Sequence, residues 1–251
     1  MIDFHIHNKG KDLRDFTEMV KRANSLGINH MVLLGDVLAF GLEPSEAQVE
    51  EINDWTISIK KHFQTNLTAF IFLNPKNSKN FIIKEIKRCL SKGLQGIKLE
   101  AALNARSPLM GLIVETALEF ELPLLHHCWN KSLKTNEHES DSTDLAVFAA
   151  KYPDLKIIAA HLSGIGINGI ADLAPYKNVY IDTSGGQPET GFIEYAVKNI
   201  GPERLLFGSD AYGFHGRDQA CQLAKIKFAN ISAKDKEKIF GLNAKKLLKL
   251  L

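Results

Sequence analysis

Cysteine is scarce in this sequence: Cys89, Cys128 and Cys221 are the only three in 251 residues. Odd in number and far apart, they exclude a disulfide framework and any Cys-X-X-Cys motif, and a core of this size needs no such staples. Long apolar stretches are missing too, none approaching the ~20 residues that span a bilayer. The opening MIDFHIH has neither a basic segment nor a cleavable apolar one, so the expected location is the cytoplasm. Nor is there an excess of charge: 31 basic and 29 acidic side chains leave a formal net charge of +2, which argues against nucleic-acid and membrane partners. No linker or low-complexity tract divides the chain. A single domain over residues 1–251 is expected, acting on a small molecule, with a homodimer left open.

What is present is an ordinary globular balance, 45% hydrophobic and 24% charged, and a repeating pattern. Short apolar runs cover residues 2–6, 30–34, 67–73, 94–99, 122–127, 156–160, 179–182 and 204–207. They recur roughly every thirty residues, as repeated βα units do, and several are almost wholly apolar, as strands buried on both faces must be. Helical patterns fill the gaps. Phe16, Met19, Val20, Ala23 and Leu26 form an i, i+3, i+4 stripe that Gly27 stops. Ser107 and Pro108 read as a cap and first-turn proline for a helix through Phe120. Residues 144–151 and 189–198 read likewise, and 233–251 predicts a lysine-rich helix on the outside of the fold. Strict alternation of eight strands with helices predicts an α/β fold, a closed (β/α)8 TIM barrel.

Polar residues of chemical interest cluster at the strand ends, where such barrels carry their sites. His5 and His7, two apart on one strand, share a face, which is the interior if Phe4 and Ile6 face out. Two imidazoles so placed are a platform for a divalent cation. The fifth run ends His126–His127–Cys128–Trp129. Only one histidine of the pair can face inward, and the last strand residue, His127, is the better placed; His126 then packs between strand and helix or supplies a hydrogen bond behind the site. His161 ends the sixth run before a glycine turn, and Asp210 follows the eighth. Read singly, a hydrogen-bonded core histidine is the lesser reading of His161, whereas an N-cap is the better one for Asp210. Together they offer a cation four histidines and a carboxylate, with room for water.

In this order, the His-X-His pair, the strand-five histidine, AHLSG at 160–164 and FGSDA at 207–211 resemble the amidohydrolase superfamily, and within it the amidohydrolase-2 group of metal-dependent hydrolases and some decarboxylases. The resemblance runs from His5 through the final NAKKLLKLL. It implies that His5, His7, His127 and Asp210 bind the metal and that His161 is a catalytic or second-metal histidine. His127 followed one residue later by Trp129 resembles the strand-five motif of the decarboxylases. Lys98 and Glu100 share a face of strand four, where some superfamily members carry a carboxylated lysine bridging two metals and others a glutamate. The expectation is one metal, an unmodified Lys98, and a substrate-binding role for Lys98, Glu100 and Trp129. The cofactor expected is a divalent ion, zinc first, with manganese or iron as alternatives.

The chemistry implied is hydrolysis of an amide, lactone or ester: the ion lowers the pKa of its water to about 7, Asp210 acts as general base, and His161 assists the developing oxyanion. The alternative is decarboxylation of a small unsaturated or aromatic acid on the same residues. Arg106, Arg217 and His215 read as solvated loop side chains near the mouth. Residues 129–142 read as a lid or a solvated loop, and His30 and His62 need no function.

Overall fold

Each apolar run folds as a parallel strand, flanked by helices that cover its outer face. The computed structural model describes residues 1–63, 66–133, 136–186, 189–213 and 217–250. Its strands are β1 (Ile2–His7), β2 (His30–Leu33), β3 (Leu67–Ala69), β4 (Ile71–Leu73), β5 (Ile97–Leu99), β6 (Leu124–His126), β7 (Ile157–Ala159), β8 (Val179–Asp182), β9 (Leu205–Leu206) and β10 (Ala211–Tyr212). They pair in the order β10-β1-β2-β3 and β4-β5-β6-β7-β8-β9. The two sheets are one barrel. β3 and β4 are halves of a single strand interrupted at Phe70, whose N–H still donates to the Leu33 carbonyl at 2.9 Å. At the other seam the Phe4 N–H donates to the Phe207 carbonyl at 2.7 Å, while β10 pairs with the top of β1. Counted this way the barrel has eight strands, one for each run.

Ten α-helical segments accompany them: α1 (Leu13–Ser25), α2 (Glu46–His62), α3 (Lys79–Ser91), α4 (Met110–Glu119), α5 (Ser142–Lys151), α6 (Leu162–Leu173), α7 (Phe192–Ile200), α8 (Gln219–Lys227), α9 (Ala233–Glu237) and α10 (Asn243–Leu248). Among the described residues no helix is long and apolar enough to cross a membrane. Two helices start later than expected. Ser107 caps a turn ahead of α4, its hydroxyl accepting from the Leu109 N–H at 3.3 Å. α7 begins only after Gly191, which takes the left-handed conformation, φ +81°.

The expected outer helix over 233–251 is corrected more deeply. It breaks at a π-helical turn, Lys238–Leu242, and α10 closes the bottom of the barrel. There Ala244, Leu247 and Leu248 pack with Ile2, Phe4, Val32, Phe70, Leu125, Ile158 and Leu206, the interior side chains of the strands. Asn243 holds the plug, donating to the Pro202 and Leu205 carbonyls at 2.7 and 2.8 Å.

Inside the barrel Gly96 is a spatial necessity: a Cβ there would lie 2.5 Å from the Phe70 ring. On β1 the expected alternation fails. Phe4 points into the barrel and Ile6 out toward the helices, yet His5 and His7 both face the mouth. A register shift between Asp3 and Ile6 changes the phase of the strand, and bulges beside sites re-aim side chains in this way.

Candidate metal centre

His5 and His7 meet at the mouth with Asp210. The two Nε2 atoms lie 3.0 Å apart, and each is 3.5 Å from Asp210 Oδ1. Their tautomers are fixed from behind. A backbone carbonyl can only accept, so His7 Nδ1, 2.7 Å from Gly35 O, must carry the proton. Likewise His5 Nδ1 faces the carboxylate of Asp182, Oδ2 at 2.9 Å. In the neutral rings both Nε2 atoms are then bare, which is the arrangement metal-binding histidines adopt. Burial above all keeps these rings neutral: His7 is lowered to about 4 and His5 falls well below the usual histidine range. Two bare lone pairs and a carboxylate oxygen converging at 3.0–3.5 Å repel one another unless a cation sits among them. Those edges match donors ~2.0–2.2 Å from a divalent ion. The residues fit the group.

Two backbone kinks complete the constellation. Beyond β7, Ile158 and Ala160 face inward, so alternation would send His161 outward. It instead sits at φ +69°, ψ +69°, and Asp210 at φ +60°. The left-handed region costs a non-glycine residue roughly 1–2 kcal/mol, and such strain gathers at functional sites. The kinks turn His161 and Asp210 into the cavity. Burial raises Asp210 to about 7, opposed in part by Arg217, whose Nε lies 3.1 Å from Oδ2.

The cavity, about 450 Å³, is lined by these residues with Val37, Leu38, Lys98, Glu100, His127, Trp129, Tyr212 and Arg217. Lys98 is fully buried, 2.9 Å from Glu100. Glu100 is buried as well, so it is no rim residue; burial alone would raise its pKa, but His127 and Lys98 prevail and hold it at about 2. His127 faces the cavity, whereas His126 is buried on the other face of β6 with Leu124 and Cys128.

The structure does not bring His127 into the triangle. Its Nδ1 is 3.0 Å from Glu100 and its Nε2 2.9 Å from Glu139. Glu139 belongs to the segment after β6, which is solvated at 131–133 and anchored further on: Glu139 and Ser140 are buried, Ser140 accepts from the Ala105 N–H at 2.9 Å, and Asn136 donates to the Ala101 carbonyl at 3.0 Å. Residues 134–135 lie outside the described part, as does His215. Arg106 stands away from the cavity, paired with Asp144 at 2.6 Å, while Arg217, read from sequence as a solvated side chain, lines it. Asp182, Ser184 and Tyr212 join the site without any role expected of them from the sequence. Their only signal was position, at or just past the ends of buried strands.

The same fold recurs in solved structures. The 5-carboxyvanillate decarboxylase of Sphingomonas paucimobilis superposes with a TM-score of 0.77 at 15% identity, covering 100% of this chain and 99% of that one. The 2,6-dihydroxybenzoate decarboxylase of Rhizobium gives 0.78 at 18% identity, covering 99% and 98%. A dihydroxybenzoic acid decarboxylase from Polaromonas sp. JS666, with bound manganese and the inhibitor 2-nitroresorcinol, gives 0.76 at 18%, covering 99% and 96%. At such identities the likeness is one of fold. No curated protein sequence matches the chain. A family model does: the amidohydrolase model matches residues 2–250, from the first strand through the helix that plugs the barrel, and the chain belongs to that family.

Proposed function

We propose that the chain is a metal-dependent lyase that releases carbon dioxide from a small planar acid. The observation that carries this reading is the make-up of the cavity. Trp129 and His127 present nearly parallel flat faces, 17° apart with centroids at 6.5 Å. Val37 and Leu38 add apolar wall, and Lys98 and Arg217 bring two cations to the same space. Flat faces, apolar wall and cations together suit a planar carboxylic acid. The reading is supported by three of the similar structures, which are named as decarboxylases of benzoic acids or of a carboxyvanillate.

On this proposal His5, His7 and Asp210 would hold the ion, and His127, now between Glu100 and Glu139, would join them on giving up one of these carboxylates. The bound ion supplies a Lewis acid that draws in an anionic oxygen and stabilises charge; manganese and zinc both suit the donors. Trp129 stacks on the substrate, Lys98 and Arg217 neutralise its acidic groups, and Glu100 anchors Lys98. Loss of carbon dioxide leaves an electron pair on carbon, which takes a proton. Asp210 lines the same cavity and is placed to carry it, and His161 donates a hydrogen bond to the substrate. The position of Asp210 beside His5 and His7 also favours a second reading, hydrolysis with Asp210 as base.

The test offers metal-loaded protein a panel of hydroxybenzoic and unsaturated acids alongside lactones, esters and amides. Carbon dioxide release from an acid is the expected result. Cleavage of a lactone, ester or amide with no carbon dioxide formed would replace this reading with the hydrolytic one.

A further inference from the structure

The geometry points to Ser184 as the positioning residue of His161: its hydroxyl donates to Nδ1 and so fixes the tautomer that presents Nε2–H to the cavity. Ser184 Oγ lies 2.9 Å from His161 Nδ1 and 3.2 Å from His5 Nδ1. His5 Nδ1 already bears a proton, because its closer partner is the Asp182 carboxylate at 2.9 Å. The serine cannot donate to it and can only accept there. A hydroxyl has one proton to give. Among the described residues His161 Nδ1 is the remaining partner of this oxygen, so the proton goes there. The His161 ring, accepting at Nδ1, then carries its own proton on Nε2, which has no hydrogen-bond partner among the described residues. Direction therefore passes along a chain of four groups, from Asp182 through His5 and Ser184 to His161.

The surroundings are built for this contact. Gly185 sits at φ +73°, and a Cβ there would meet His161 Nδ1 at 2.8 Å, so only glycine lets the loop come so close. Asp182 Oδ1 accepts from the N–H groups of His161 at 3.2 Å and Ser184 at 2.9 Å, pinning both residues to one carboxylate. From α8, Lys225 reaches behind the loop and donates to the carbonyls on either side of the serine, Thr183 O at 2.7 Å and Gly185 O at 3.4 Å. Gln222, three residues earlier on the same helix, donates to Gly186 O at 3.4 Å. A charged group spent on backbone carbonyls beside one serine is explained by the need to hold that serine still.

The test is nitrogen NMR of histidine-labelled, metal-free protein, which reads which ring nitrogen is protonated and does not depend on the reaction class. In the parent, His161 should show a bare Nδ1 and a protonated Nε2. Ser184→Ala should convert those signals to an average of both tautomers, and Ser184→Thr, which keeps the hydroxyl, should restore them. Should Ser184→Ala fail to fold, Lys225→Met serves instead, shifting the His161 signals while Lys227→Met on the same helix does not. With a substrate in hand, Ser184→Ala should lower kcat about 10–100-fold, as loss of such supporting partners does, with little change in KM. A proton on Nδ1 of the parent, or His161 signals unchanged by Ser184→Ala and by Lys225→Met, would overturn the assignment.

Discussion

The hydrogen bond from His7 to a backbone carbonyl decides, by itself, which of its nitrogens is free for a cation, and Asp182 does the same for His5. Protein as purified should therefore carry close to one equivalent of manganese, zinc or iron, measured by elemental analysis, and His5→Ala with His7→Ala should abolish it. Full metal content in the double variant would place the site elsewhere. Asp210 allows a cleaner separation of binding from chemistry. Asparagine tolerates the left-handed backbone, so Asp210→Asn keeps the φ of +60° and one oxygen while losing basicity. It should retain most of the metal and lower kcat by on the order of 10²–10⁴; unchanged turnover would remove Asp210 from proton transfer. Of the triangle, His5 and His7 were legible because a His-X-His pair in an apolar run is conspicuous, and Asp210 only through its place in the FGSDA motif. Asp182, Ser184 and Glu139 were not. An acid or serine after a strand looks like any cap, and the Glu139 contact with His127 depends on how the segment between them folds back.

Strands were legible because both faces of a barrel strand are buried, which writes nearly continuous apolar runs. Their phase was less so. Alternation along β1 predicts Phe4 outside, and only the register shift at Asp3–Ile6 explains how Phe4 and both histidines face in together. The C-terminal helix was misplaced for a related reason: its apolar stripe says that something is covered, not whether that is the flank or the floor. Packing inside the barrel carries a stability prediction. Gly96→Ala puts a methyl 2.5 Å from the Phe70 ring, and overpacking of this kind costs about 1–3 kcal/mol. Thermal melts should show a loss of about 2–4 °C per kcal/mol at this size. Gly96→Ala with Phe70→Leu should recover part of it. A Gly96→Ala melting temperature equal to the parent's would mean the interior yields more easily than its geometry indicates.

For the molecule as a whole, the buried histidines set its response to acid. His7 and His126 are lowered to about 4, and His5 and His161 also lie well below the usual histidine range, burial being the main cause for each. Below about pH 6.5 the unfolded chain takes up protons at these sites and the folded chain refuses them, so stability falls with pH. Asp3 and Asp210 oppose this. Raised to about 6 and about 7, mainly by burial, they hold protons in the fold that the unfolded chain gives up above about pH 4. Four histidines outnumber two acids, and metal-free protein should lose on the order of a few kcal/mol between pH 6.5 and 4.5, read as a falling urea midpoint; a flat midpoint over that range would contradict the assignment of neutral buried rings. The seam of the barrel has a further consequence. β1 belongs to the beginning of the chain and β10 to its last sixth, so the triangle of His5, His7 and Asp210 assembles only when the two ends have met. An ion bound there is a removable cross-link across a loop that takes in most of the chain. Chelation should leave most strands intact yet speed hydrogen exchange along the β1–β10 pairing, opening the barrel as a clasp opens a ring.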